Sequence, residues 1–75
     1  MDMDNLVKMA NQIGDFYASY PNQVEAADEI AGHLKKFWAP RMRTQLLDYI
    51  DSQRGAGLNE IVLNSISGHR KALQP

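Results

Sequence analysis

Ser65 and His69 are the one serine–histidine pair in this chain placed for chemistry, four residues apart and so on one face if the segment is helical. Ser67 lies two residues from each and points elsewhere. No acid joins the pair at a spacing legible in the sequence, so an activated nucleophile is not implied and exposed polar positions are expected. Asp48 and Asp51 share a helix face at i,i+3 and could hold a cation weakly. Two carboxylates fall well short of the about six to eight oxygens that calcium takes, so a solvated face is expected there too. Asp28 and Glu29 are adjacent and diverge around a helix. Gly55-Ala56-Gly57 lacks the third glycine, the preceding strand and the lysine of a phosphate loop, and reads as a turn between helices. With no cysteine, and with His33 and His69 as the only histidines, disulfides, iron–sulfur clusters, cysteine-based zinc sites and histidine-rich metal centres are excluded. No catalytic residue, cofactor, metal or small-molecule substrate is therefore expected.

The more informative chemistry is in Lys35-Lys36-Phe37-Trp38-Ala39-Pro40-Arg41-Met42-Arg43. Residues 1–29 carry six acids and one base, whereas residues 30–47 carry four bases and no acid, so charge is segregated although the whole chain is at −1. Arg41 and Arg43 fall in the first turn of a helix, where the macrodipole disfavours a cation by about 0.3–1 kcal/mol. Their i+3 and i+4 neighbours are Thr44, Gln45, Leu46 and Leu47, none of them acidic. A local rule broken without local compensation points either to tertiary ion pairs with Asp15, Asp28 or Glu29, or to a partner. Trp38 is read first as core and second as an interface anchor. The partner-binding candidates are Lys35, Lys36, Phe37, Trp38, Pro40, Arg41 and Arg43. A rival reading makes Lys35, Lys36, Arg41 and Arg43 phosphate contacts of a small helical nucleic-acid-binding module. The net charge and the acidic first half oppose it.

Helices must position these residues. Leu6, Met9, Ala10, Ile13, Phe16, Tyr17 and Tyr20 recur at three- and four-residue spacing, as do Val24, Ala27, Ile30, Ala31, Leu34, Phe37 and Trp38. Helices are predicted over 4–19, 23–38, 41–52 and 60–70. Their start signals are Asp2 or Asp4, Asn22 followed by Glu25, Pro40 at a first helical position, and Asn59 flanked by a Leu58–Leu63 staple. Gly14 marks a possible close helix approach, Pro21 ends the first helix, and Gly68 weakens the last. Leu6, Ile13, Ile30, Leu34, Leu46, Ile50, Val62 and Ile66 form the expected core. No segment alternates as a strand does. Residues 1–75 are thus expected to be one all-α domain, a small compact bundle of about four short helices. Hydrophobic residues at 44% and charged residues at 23% are ordinary for a globular chain. No apolar run approaches the roughly 20 residues of a membrane span, and the acidic start is unlike a secretory signal, so a cytoplasmic location is expected. So small a core supplies only about 3–5 kcal/mol, which favours either very good packing or a stabilising partner.

The run Asn5-Leu6-Val7-Lys8-Met9-Ala10-Asn11-Gln12-Ile13-Gly14-Asp15-Phe16, then His33-Leu34, then Phe37-Trp38-Ala39-Pro40-Arg41-Met42-Arg43, then Gly55-Ala56-Gly57-Leu58 resemble the delta subunit of bacterial NAD-dependent formate dehydrogenases. The likeness runs from about Asn5 into the last helix. It implies a small accessory subunit of a soluble cytoplasmic molybdenum or tungsten enzyme whose large catalytic subunit carries the pterin metal cofactor and iron–sulfur clusters. The implied role is to stabilise that catalytic subunit or help assemble it. The resemblance supplies no catalytic residues, in keeping with the residue inventory above.

Overall fold

The computed structural model describes residues 2–75, and five helices follow one another along them: α1 (Met3–Tyr17), α2 (Gln23–Phe37), α3 (Pro40–Gln53), α4 (Glu60–Gly68) and α5 (Arg70–Leu73). No strand occurs among the described residues, and the architecture is the expected small all-α bundle. The starts follow the local chemistry. Asp2 caps α1, its Oδ1 accepting from the Asp4 N–H at 3.0 Å, and Asn22 caps α2 by accepting from Glu25 N–H at 3.0 Å. Pro40 opens α3, where its missing N–H matters least.

Asn59 occupies the N-cap position of α4 but caps nothing with its side chain. Its Nδ2 donates instead to Asp15 Oδ1 at 3.0 Å. Its backbone N–H donates to Asn11 Oδ1 at 2.8 Å, while Asn11 Nδ2 donates to the Gly57 carbonyl at 2.9 Å. Asn11 thereby clips the α3–α4 turn onto α1. Tyr49 Oη closes the same turn by donating to the Ala56 carbonyl. Leu58 and Leu63 converge on Gly55, which is in the left-handed region at φ 66° and has no room for a side chain: a Cβ would stand 2.5 Å from Leu63 Cδ2.

The core holds Leu6, Ile30, Leu34, Leu46, Val62 and Ile66 as expected, with Ile13 and Ile50 half-buried against it. Helix α2 is central, packing on α4 above all and also on α1 and α5. Its inward row is Ala26, Ile30, Leu34 and Trp38, four residues apart. That register corrects three members of the apolar rows read from the sequence. Val24 and Phe37 are 72% exposed and Phe16 is 70% exposed. Phe16 and Val24 each lie two residues from an inward residue, Gly14 and Ala26, hence about 160° around the helix. Phe37 gives up the inward position to Trp38 as α2 ends.

Two helix ends also differ from expectation. α1 stops at Tyr17 rather than Ser19, in a turn closed by Tyr20 N–H to the Tyr17 carbonyl. The last predicted helix is two, broken at His69 (φ −126°, ψ 24°) just after Gly68, and α5 turns to seat Leu73 in the core. Glycine is a poor helix former, and the break falls beside it.

Gly14 does mark a close approach. A Cβ there would lie 2.5 Å from Val62 Cγ2 and 3.3 Å from Ile61 Cγ2, whereas one at Gly32 would meet nothing within 4 Å. Both glycines sit inside helices, where alanine is preferred by up to about 1 kcal/mol. Gly32→Ala should therefore raise the thermal midpoint. Gly14→Ala should lower it, because displacing a buried β-branched methyl costs about 1–3 kcal/mol. Thermal melts followed by circular dichroism compare the two, and a shift of the same sign in both would contradict the close approach.

Candidate functional site

The corner between α2 and α3 carries the basic segment. Lys35 and Lys36 lie in the last turn of α2, where the dipole favours them, and Trp38 and Ala39 are extended. The last turn of any helix leaves carbonyls without intrahelical partners. Arg43 reaches back eight residues to supply one, its Nη1 donating to the Lys35 carbonyl at 2.8 Å. Arg43 is only 7% exposed, and its buried Nε has no hydrogen-bond partner. The expected ion pairs of Arg41 or Arg43 with Asp15, Asp28 or Glu29 do not form. Asp15 accepts from Asn59, Asp28 pairs with His69, and the two ion pairs among the described residues involve neither arginine. Arg41 is exposed, and so are Lys35, Lys36, Phe37 and Pro40. Trp38, 6% exposed, belongs to the core, in line with the first of its two readings.

Beside this corner a groove of about 500 Å³ opens between α1 and α2. Met9, Ile13, Phe16 and Tyr17 line it from α1, and His33 and Trp38 from the other side. Phe16 meets Tyr17 edge-on at 4.9 Å between ring centroids, and Phe37 lies 4.8 Å from the His33 ring. A smaller hollow, lined also by Asp28 and Glu29, continues past Tyr17 and His33 to Lys36 and Phe37. The sequence signal for this face is the adjacent aromatic pairs, Phe16-Tyr17 and Phe37-Trp38. Two neighbours about 100° apart cannot both point inward, and here Tyr17 and Trp38 turn in while the phenylalanines turn out. The outward aromatic at the corner is Phe37, not Trp38.

The remaining polar candidates are engaged within the fold. Ser65, expected to be exposed, is fully buried, and its Oγ donates to the Ala27 carbonyl at 2.6 Å, joining α4 to α2. Its hydroxyl is not bonded to His69. Instead His69 Nδ1 lies 2.8 Å from the Ser65 carbonyl and Nε2 lies 2.8 Å from Asp28 Oδ1. Asp51 is held by both terminal nitrogens of Arg70, which leaves Asp48 without it as a cation site. No group of three or more His, Asp or Glu side chains among the described residues is placed to hold a metal.

Both acceptors facing His69 need an N–H, so both bonds form together only with the imidazolium. The Ser65 carbonyl hydrogen bond, chiefly, with the Asp28 carboxylate assisting and burial opposing, raises its pKa above the ordinary 6.5. A raised folded-state pKa means the contribution is complete below about 6.5 and is lost as pH rises through the folded value. The thermal midpoint should therefore fall from pH 6 toward pH 8 relative to that of His69→Gln, and an NMR titration should place the His69 midpoint above 6.5. A midpoint at or below 6.5 would show that the proton is not shared this way.

The chain matches the family of NADH-dependent formate dehydrogenase delta subunits, FdsD, over residues 5–66. It belongs to that family. No curated protein and no solved structure matches it. The delta-subunit match spans most of α1, all of α2 and α3 and most of α4, so it includes the corner, the groove and the Asn11 clip. It leaves out His69, Arg70 and α5, which fasten the last turn of chain onto α2 and α3. No helix of the described residues is long and apolar enough to cross a membrane.

Proposed function

We propose that this chain is a non-catalytic accessory subunit of a soluble, cytoplasmic molybdenum or tungsten formate dehydrogenase, which binds the catalytic subunit and stabilises it or helps assemble it. The family match over residues 5–66 carries this reading. The use of the chemistry-bearing side chains supports it: the Ser65 hydroxyl, His69 Nε2 and Arg43 Nη1 make bonds between helices, and His69 Nδ1 is held by the Ser65 carbonyl. The docking surface is the α2–α3 corner, where Lys35, Lys36, Phe37, Pro40 and Arg41 face outward. Trp38 and Arg43 act from behind, by setting the corner's shape. The nucleic-acid alternative loses Arg43 as a phosphate contact, and the remaining cations lie on a chain whose first 29 residues are net acidic.

An affinity tag on this chain, in cells making the other formate dehydrogenase subunits, should recover the catalytic subunit. The Lys35→Gln/Lys36→Gln/Arg41→Gln variant should recover less of it at an unchanged thermal midpoint, and the deficit should shrink at high salt. Recovery of the chain alone, or a low-salt gel shift with DNA, would overturn the reading.

A further inference from the structure

We propose that residues 69–75 are a strap that swings off the α1–α4 body at the break after Gly68, and that the proton on His69 holds it shut. Opened, the strap bares an apolar seat behind the α2–α3 corner. The strap is a device of this chain itself and is independent of its subunit role.

The strap is fastened unlike the body. α5 is a single turn, Arg70–Leu73, far below the about 12–15 residues at which a helix is even marginal alone, so it keeps its shape only while docked. One side chain docks it. Leu73, 2% exposed, is the strap's whole contribution to a core otherwise supplied by α1–α4 and the turns between them. Leu34, Arg43, Leu46, Leu47 and Ile66 form its seat. The two ion pairs that assist lie at the surface: Asp28 and Asp51, which hold His69 and Arg70, have side chains 62% and 56% exposed, and such pairs contribute little. A segment held by one buried side chain and surface pairs opens more readily than the body it rests on.

His69 stands at the hinge. It breaks the helix just after Gly68, and from there its ring lies 2.8 Å from the Ser65 carbonyl of α4 and 2.8 Å from Asp28 of α2. Only the imidazolium has an N–H for each, so a neutral ring releases one of them. The charged groups around this end are Asp28 from α2, Asp51 from α3, and Arg70 and Lys71 from the strap, while α4 faces it with the uncharged Ser65 carbonyl and Asn64. Of these side-chain types imidazole alone ordinarily titrates between pH 6 and 8. The strap is therefore shut at pH 6 and opens more often as pH rises.

Native-state hydrogen exchange of the full free chain, followed by NMR, tests this. Leu73 and Gln74 N–H donate to the His69 and Arg70 carbonyls and report on the strap, and Ile30 and Leu34 N–H in α2 report on the body. At pH 6 the strap amides should be protected, but less than the body amides. From pH 6 to pH 8 their protection, corrected for intrinsic exchange, should fall roughly two- to tenfold, as loss of one net hydrogen bond does. His69→Gln should abolish that dependence and hold the strap at or below its pH 8 protection. Leu73→Ala should strip protection from the strap and leave Ile30 and Leu34 protected, since the opened body is already more stable than the unfolded chain. Strap amides as slow as those of Ile30 and Leu34, or a Leu73→Ala chain unprotected throughout, overturn the proposal by showing that strap and body open only together. Strap amides unprotected at pH 6 overturn it because the strap is then never shut. A protection unchanged by pH, or equally pH-dependent in His69→Gln, overturns the assignment of the lock to the His69 proton.

Discussion

Arg43→Glu should unfold the free subunit, whereas Arg41→Glu should leave its thermal midpoint unchanged or slightly raised. The two arginines are two residues apart in the first turn of α3, and by helix electrostatics alone each reversal is favourable there. Their surroundings separate them. Arg41 is exposed, so its replacement changes only a solvated charge. Arg43 is buried and donates to the Lys35 carbonyl at the C-terminal end of α2. A carboxylate at that position withdraws the donor and aims negative charge at an unpaired carbonyl, at the negative pole of the helix. Leaving such a buried charge uncompensated costs about 3–5 kcal/mol, comparable to the whole stability of about 3–5 kcal/mol expected for a core this small. Arg43→Met is the informative control. It keeps the packed stem, loses the bond to Lys35 and removes the unpartnered Nε, so its penalty should stay near the roughly 1–3 kcal/mol of one orphaned acceptor. Thermal melts of the three variants decide the matter, and equal midpoints for Arg41→Glu and Arg43→Glu would mean that Arg43 holds nothing.

Why Arg43 was not legible as a structural residue is a matter of what a charge count contains. The sequence presents two cations with no acid within a turn, which directs attention to distant acids or a partner. It does not display the backbone carbonyls left over at a helix end, which are acceptors as good as many side chains and lie wherever the α2–α3 corner puts them. Asn11 is hidden for a related reason. Its two partners are 46 and 48 residues away, at Gly57 and Asn59, and both are backbone groups. Local signals fared better: Asp2, Asn22 and Pro40 start helices by contacts within three residues, and the four-residue rows through Ile30 and Leu34 find the core. Gly14 reads as a close approach from its place inside a regular helix, but only the packing separates it from Gly32, which is also inside a helix and would meet nothing within 4 Å. The exposed face was half legible. Adjacent aromatics announce that one of each pair must turn outward, but which one depends on the register of α2 at its last residue. Phe37 rather than Trp38 emerges because the row Ala26, Ile30, Leu34 ends on Trp38.

Leu34→Ala should cost in the upper half of the about 2–5 kcal/mol range for a buried leucine, enough to leave much of the isolated chain unfolded. The penalty depends on how far the walls can close over the lost atoms, and here they are held apart. Leu34 is 1% exposed and sits where α2 meets Arg43, Leu46 and Leu47 of α3, Ile66 of α4 and Leu73 of α5, around a void of only about 10 Å³. Closing it would require α3 and α5 to move in together. α3 is tied to the end of α2 by Arg43, and α5 is tied to α3 by the Arg70–Asp51 pair and to α2 through the neighbouring His69–Asp28 bond. Those ties keep the cavity open, so the truncated site pays both for lost transfer energy and for empty volume. Arg43 is a wall of the same junction, which gives the arrangement a second signature. Arg43→Met frees α3 from its tether, lets it approach the vacated space, and should make the double variant with Leu34→Ala less unstable than the sum of the singles by more than about 0.5 kcal/mol. Urea denaturation of the unsubstituted chain, both singles and the double closes that cycle. Strict additivity would show that the corner does not hold the junction open, and a Leu34→Ala penalty below about 1 kcal/mol would show that the walls collapse freely.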